Sequence, residues 1–214
     1  MATQLFLLTP GTAGADDTPP GNLSADWDHP LDTARGASGI SAGISTVNGP
    51  TAGIQLATAS AAPGLSWWYR VNAVTISGAI TKNLWGQESA MTANAGLQTI
   101  IDRCDGTGTF VSTVENSEFG TEMKAGAYAV NNWATGTVTS TAFADGDYIR
   151  VRVYFNDAGG TMASGAFVYV AWRGPTAGAE GDSYVTFTET ITEYVPPLPP
   201  SRIVRQAVNR ASTY

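Results

Sequence analysis

Residues 147–155 read DYIRVRVYF, and this stretch decides the fold class of the chain. Its odd-numbered positions from Ile149 to Phe155 are apolar and alternate with tyrosine and arginine, which is the two-residue period of a half-buried β-strand. The residues just before it, Ala144 to Gly146, read ADG, a tight-turn signature. The stretch therefore predicts a strand with one aliphatic face toward a core and one long, amphipathic face.

Other candidate strands lie before and after this stretch in the sequence. Residues 165–172 read GAFVYVAW and alternate again after a turn segment at 156–160, so we expect the two runs to form a hairpin with a long loop. Candidate strands recur about every ten residues, with Gly, Pro, Asn or Asp at most junctions, as in sandwiches and barrels. The remaining candidates cover residues 3–8, 53–58, 65–71, 73–80, 82–85, 98–103, 109–115, 136–141 and 183–194. The sequence predicts an all-β chain that folds as an antiparallel, jelly-roll-like β-sandwich.

The predicted sandwich body spans residues 40–194, and an extended arm lies at each end. Residues 1–39 begin with a strand and continue as an extended loop, because residues 10–39 contain paired prolines and few paired apolar residues. Residues 195–214 contain PPLPP, a polyproline II spacer that cannot continue a sheet. Ser201 can then cap a short C-terminal helix with one apolar face, which we expect to be ordered only when docked.

Composition and charge favour a surface that meets other protein. Charged residues make up 14% of the chain, against an average of about 25%. The net charge of −7 argues against a nucleic-acid partner. Three arginines give residues 195–214 a charge of +3, which leaves −10 for the rest of the chain. No apolar run approaches the roughly 20 residues of a membrane span and no signal peptide is visible, so we expect a soluble protein made in the cytoplasm.

Few residues can support catalysis. The one histidine, His29, lies in a predicted loop, and no GxSxG elbow accompanies it. Cys104 is the one cysteine, so no disulfide forms within the chain and a structural thiol is favoured. Asp26, Asp28 and Asp32 are close enough in sequence to bind calcium, although solvated loop acids or Asx turns also explain them. We therefore expect no catalytic residue, cofactor or metal, and we predict that the chain is not an enzyme.

Three consecutive aromatic residues, Trp67, Trp68 and Tyr69, allow a functional interpretation. On a strand, Trp68 points away from the face that carries Trp67 and Tyr69. One face is expected to be core, and the other either contacts another subunit or stacks against a sugar ring. A carbohydrate-binding module of a receptor-binding structure, with a glycan as its partner, therefore stays open as an alternative function.

Three stretches carry a resemblance to a known group of proteins. They are MATQLFLLT at residues 1–9, the run from Trp67 to Gly108 that begins WWYRVNAVTISGAITKNLW, and TAFADGDYIRVRVYF at residues 141–155. Over residues 1–10 and 64–190, the chain resembles virion structural proteins of tailed bacteriophages. The resemblance implies a β-sandwich in the virion, made in the host cytoplasm, that decorates or cements the capsid. A tail or head-to-tail component is the alternative within this group.

The resemblance also implies the partners: copies of the chain itself and other virion proteins such as the major capsid protein, with no nucleic acid and no membrane. Extended arms suit such a role, because an arm can add a strand to a neighbour's sheet edge and symmetry multiplies each modest contact. We therefore expect the assembly contacts in residues 1–8 and 195–214. The candidate residues are Leu5, Leu7, Pro197, Pro200, Arg202, Ile203, Arg205, Val208 and Arg210.

Overall fold

The computed structural model describes residues 1–7, 28–34, 41–46, 65–91, 94–157, 167–172 and 176–196. In this part of the chain no helix is long and apolar enough to cross a membrane, and the regular structure is all strand, which confirms the all-β prediction. The strands are β1 (Thr3–Leu7), β2 (Asp28–Asp32), β3 (Ser41–Thr46), β4 (Leu65–Arg70), β5 (Val74–Ile76), β6 (Ala79–Glu88), β7 (Ala95–Cys104), β8 (Phe110–Glu118), β9 (Ala129–Thr137), β10 (Thr141–Phe143), β11 (Tyr148–Asp157), β12 (Phe167–Trp172) and β13 (Tyr184–Phe187).

Eleven of the strands form two layers that face each other across a common core, and β5 and β10 pair as a separate two-stranded sheet. The first layer has the order β3-β12-β6-β13-β1, with β9 paired to the other side of β6, and the second has the order β2-β4-β11-β7-β8. Pairing of β1 with β2 joins the layers along one side. The described pairings within the layers are antiparallel except that of β2 with β4. The chain crosses between layers from β6 to β7, β8 to β9 and β11 to β12, as in a jelly roll. The predicted antiparallel β-sandwich is confirmed.

The core between the layers is aliphatic and aromatic. Ile149 and Val151 of β11 are 0% exposed, which confirms the aliphatic face predicted for this strand. Trp67 of β4 meets Trp172 of β12 edge to face, with ring centroids 5.6 Å apart. Burial of each such side chain contributes roughly 1.5–3 kcal/mol to folding. The contact between these two tryptophans joins the two layers.

The predicted hairpin between residues 147–155 and 165–172 is wrong. β11 pairs with β4 and β7 in the second layer, whereas β12 pairs with β3 and β6 in the first. Alternation of apolar residues specifies which face of a strand is buried, but it does not identify the neighbouring strand. Each of the two strands has a partner on both sides, so each is an interior strand of its own layer.

The predicted strand at residues 73–80 is broken in two. Ser77 and Gly78 lie between β5 and β6, and their N–H groups donate to Glu189 Oε1 at 2.8 and 2.7 Å instead of joining a strand. The second piece, β6, then runs on to Glu88 and absorbs the separate strand predicted at residues 82–85. A distant carboxylate therefore fixes this break, and nothing near it in the sequence indicates that.

Two other expectations are corrected, and two lie outside the described residues. The strand predicted at residues 136–141 is displaced, because β9 ends at Thr137 and most of it precedes that range. The predicted loop at residues 10–39 contains β2, which pairs with β1 and β4. The candidate strand at residues 53–58 and the C-terminal helix after Ser201 lie outside the described residues.

The N-terminal strand belongs to the chain's own sheet. β1 pairs with β13 through residues 3–6 on one edge and with β2 through Phe6 and Leu7 on the other. Leu5 and Leu7 are both 0% exposed and form part of the core. The terminal ammonium of Met1 donates to Thr190 Oγ1 at 3.0 Å. The prediction of assembly contacts at Leu5 and Leu7 is therefore corrected, because both side chains are buried within the sandwich.

Candidate functional site

β8 and β9 are outer strands of the two layers and lie on the same side of the sandwich, where a buried ion pair joins the layers. Lys82 Nζ on β6 donates to Glu115 Oε1 on β8 at 2.7 Å and to Thr135 Oγ1 on β9 at 3.2 Å. The two charged side chains are 0% and 2% exposed. Burial lowers the pKa of Lys82, and the neighbouring Glu115 carboxylate opposes that effect. This buried ion pair therefore holds β8 in place relative to β6 and β9.

A second contact joins β8 and β9 directly. Trp133 of β9 donates from Nε1 to Ser117 Oγ of β8 at 2.8 Å. Its ring also meets Phe119, with the ring centroids 5.7 Å apart. Trp133 is thereby turned toward the interior of the sandwich, so the residues next to it on β9 point outward.

The outer edge of β8 is protected against pairing with another chain. Its pairing with β7 is irregular in two places, next to Asp102 and next to Cys104. It also carries Glu115 and Glu118. Bulges and charges are the devices by which natural sheets prevent edge-to-edge association. β8 is therefore a poor candidate for an assembly surface.

The edge of β9 has fewer of these protections. No charged residue lies between Lys124 and Asp145, and β9 contains no proline. Its pairing with β6 is regular over Ala129–Ala134, and the one irregularity comes after Ala134. Among the described residues, β6 is the one strand with which β9 pairs. We call the segment Ala129–Ala134 the β9 edge.

The backbone groups of the β9 edge can be assigned a direction. Trp85 of β6 donates its N–H to Ser183 Oγ at 2.9 Å, on the β13 side and away from β9. Trp85 therefore makes no ladder hydrogen bond to its opposite residue, Val130. Along an antiparallel ladder, residues whose N–H and C=O groups point toward the neighbouring strand alternate with residues whose groups point away from it. Val130, Asn132 and Ala134 therefore direct their N–H and C=O groups to the side away from β6. The same three residues are exposed, Val130 at 43%. The edge thus presents both backbone hydrogen-bonding groups and small uncharged side chains.

A second polar cluster lies on the outer face of the second layer, around Asp102 of β7. Asp102 Oδ2 accepts hydrogen bonds from Arg150 Nε at 3.2 Å and Nη2 at 3.0 Å, and Thr113 Oγ1 donates to Oδ1 at 3.1 Å. Arg152 Nε lies 2.8 Å from Oδ2 as an ion pair, although its N–H is not aligned for a hydrogen bond. Asp102 is 0% and Arg152 4% exposed. The alternating sequence indicates an amphipathic face here, but the pairing of β11 with β7 is needed to show that the carboxylate meets both guanidinium groups.

The predicted stacking residues are all buried. Trp67, Trp68 and Tyr69 are 0%, 4% and 6% exposed. Trp67 and Tyr69 face the core, whereas Trp68 lies on the opposite face with Tyr148, which confirms the predicted alternation. The Trp68 and Tyr148 rings meet edge to face at 5.7 Å. A sugar platform needs exposed rings, and this strand provides packing instead.

The remaining candidate residues occupy structural positions. Cys104 is buried, and burial raises the pKa of its thiol to about 11, in keeping with the predicted structural thiol. His29 lies in β2 opposite Trp67 and not in a loop, which corrects that prediction. Asp28 and Asp32 are the end residues of the same strand, and Asp26 is outside the described residues. In the described ranges no three His, Cys, Asp or Glu side chains cluster as metal ligands would.

Comparison with known proteins gives the fold and no family. No protein-family model and no curated protein matches the chain. Several solved structures share its fold with TM-scores above 0.5, and three of them serve as examples. They are an aminopeptidase from the marine sediment archaeon Thaumarchaeota archaeon (TM-score 0.60, 12% identity, 90% of this chain and 37% of that one), a CocE/NonD family hydrolase from Staphylococcus aureus (0.57, 12%, 87% and 36%) and an α-amino acid ester hydrolase (0.52, 10%, 89% and 36%).

These structures correct the prediction that the chain is not an enzyme, because the fold it shares is one found in hydrolases. The chain spans little more than a third of the length of each of them. At such low identity the likeness shows the fold alone. Weaker neighbours include infectious bursal disease virus and the CBM22-1 xylan-binding domain from Paenibacillus barcinonensis, at TM-scores of 0.34 and 0.29, which support no conclusion.

Proposed function

We propose that the chain is a structural β-sandwich of a tailed-phage virion and that it attaches to neighbouring protein by strand pairing along the β9 edge. The observation that carries the proposal is the contrast between the outer strands β8 and β9. β8 has two irregularities and two carboxylates, whereas β9 has regular pairing and no charge from Ala129 to Ala134. An unprotected edge is a template for a strand from another chain. The phage resemblance of residues 1–10 and 64–190 supports the virion as the place of assembly.

The composition of the chain fits this role. Only 14% of its residues are charged, and the net charge is −7. Copies of an acidic protein repel one another, so a stable contact needs a surface on which no charges face each other. The run between Lys124 and Asp145 is such a surface, and β9 lies within it. The proposal therefore assigns to this run the attachment of the chain to the particle.

The test is made on density-gradient-purified virions of the phage whose genome encodes the chain. We expect quantitative mass spectrometry to find the chain in many copies per particle. Asn132→Lys places a charge on the β9 edge and should lower the copy number by about tenfold, the effect of roughly 1.4 kcal/mol lost per contact. Ala142→Lys, at an exposed position of β10, is the matched control and should be incorporated normally. Absence of the unmodified chain from virions would overturn the proposal.

A second candidate function is hydrolysis, because the solved structures that share the fold include an aminopeptidase and an α-amino acid ester hydrolase. Its test is the release of p-nitrophenol or p-nitroaniline from amino-acid esters and anilides by the purified full chain. His29→Ala removes the one imidazole of the sequence. Turnover above the buffer rate that this variant loses supports a hydrolase, and turnover at the buffer rate excludes one for these substrates.

A further inference from the structure

We propose that the strand which pairs with the β9 edge is β9 of a second copy of this chain, with the two copies related by a two-fold axis at Asn132. This inference rests on the proposed function, because it names the partner of the edge. It follows from three properties of the edge: the direction of its backbone groups, the chemistry of its exposed side chains, and the absence of charge.

The backbone directions select the register. In an antiparallel pair, a residue whose N–H and C=O point toward the partner strand must stand opposite a residue of the same kind. On the β9 edge these are Val130, Asn132 and Ala134, because Trp85 directs its N–H to Ser183. Only one register pairs all three residues with one another. It places Asn132 opposite Asn132 of the second copy and Val130 opposite Ala134 of the second copy. Each of these pairs can exchange two N–H···O=C hydrogen bonds.

The exposed side chains are self-complementary in that register. An asparagine amide carries both a donor and an acceptor, so the two Asn132 side chains satisfy each other across the axis. Val130 meets Ala134 of the second copy, an apolar contact between small residues. Exposed Val130, at 43%, would be covered by this contact. The inward-facing Trp133 stays bound to Ser117 within its own sandwich.

Charge favours the β9 edge over the edge of β8. A two-fold axis brings identical surfaces together, so any charge near the axis meets a like charge. Pairing along β8 would bring Glu118 near Glu118 of the second copy, whereas the run between Lys124 and Asp145 contains no charged residue that could meet a like charge. For a chain with a net charge of −7, a paired strand without charged residues puts no like charges opposite each other in the ladder.

The experiment uses the full chain with Asn132→Cys. A hydrogen-bonded antiparallel pair has Cα atoms about 5.5 Å apart, within the 4.4–6.8 Å that a disulfide spans. Cys104 is buried and does not compete. We expect mild oxidation to convert the variant into a covalent dimer about tenfold faster than Ala142→Cys, whose exposed position on β10 reports random collision. Light scattering of the unmodified chain should give twice its mass of 22.3 kDa.

Two other outcomes overturn the inference. One is a monomeric chain in which Asn132→Cys crosslinks no faster than Ala142→Cys. If such a chain is nevertheless incorporated into virions and Asn132→Lys abolishes incorporation, the β9 edge binds a different virion protein and the proposed function stands. The other is a chain that is still dimeric when Asn132 is replaced by lysine, because the dimer contact must then lie outside the β9 edge. A dimer that crosslinks at Asn132 but is absent from virions sustains the inference about pairing and removes the virion function.

Discussion

At the scale of single residues, the buried Lys82–Glu115 pair stabilises the side of the sandwich that carries β8 and β9. Removing one partner leaves the other charge buried without compensation, which costs about 3–5 kcal/mol. We expect Lys82→Met to lower the free energy of unfolding by that amount, since Glu115 Oε2 already lacks a hydrogen-bond partner. Urea denaturation followed by tryptophan fluorescence gives the measurement.

Two matched variants show whether the loss comes from the stranded charge. The double variant Lys82→Met, Glu115→Leu removes both charges and should recover most of the stability, because apolar replacements of a buried pair are often neutral. Lys124→Met, at an exposed site, should change stability by no more than about 0.5 kcal/mol. A single variant as stable as Lys124→Met would show that the pair does not hold the layers together.

At the scale of elements, the alternation of residues 147–155 predicts the strand and its buried face correctly, but not its neighbours. The same limit applies to the candidate site. The absence of charge between Lys124 and Asp145 is visible in the sequence. That β9 is an outer strand of its layer depends on the strand order, which arises from contacts between residues far apart in the chain, such as Asn83 with Asn132. The edge therefore could not be recognised before the strand order was known.

The backbone direction assigned to β9 makes a prediction at the same scale. Proline lacks an N–H, so it is tolerated where that group points to solvent and harmful where it joins a ladder. Ala134 directs its N–H outward and Ala129 directs its N–H to β6. We expect Ala129→Pro to cost about 1–3 kcal/mol, the penalty of an unsatisfied buried group. Ala134→Pro should cost less than half of that in thermal or urea unfolding while it prevents dimer formation. Equal losses of stability would contradict the assigned direction.

At the scale of the whole molecule, a two-fold contact alone closes into a dimer, so a larger assembly needs a second contact. The C-terminal arm is our proposal for it, since residues 195–214 carry +3 and the rest of the chain carries −10. The described chain is tied to the sandwich up to this point: Glu193 is bridged to Val71, and the N–H of Tyr194 donates to the Arg70 carbonyl at 3.1 Å.

Deletion of residues 195–214 should therefore leave a folded dimer and abolish assembly beyond it. The folded state is checked by an unchanged unfolding transition, and assembly by light scattering and by incorporation into virions. Replacing Arg202, Arg205 and Arg210 with glutamine keeps the arm but removes its charge. If attraction to an acidic neighbour provides the contact, this variant should assemble as poorly as the deletion, and salt should weaken assembly of the unmodified chain. Normal incorporation of the deleted chain would show that the second contact lies in the sandwich, and normal incorporation of the glutamine variant would assign it to the apolar residues of the arm.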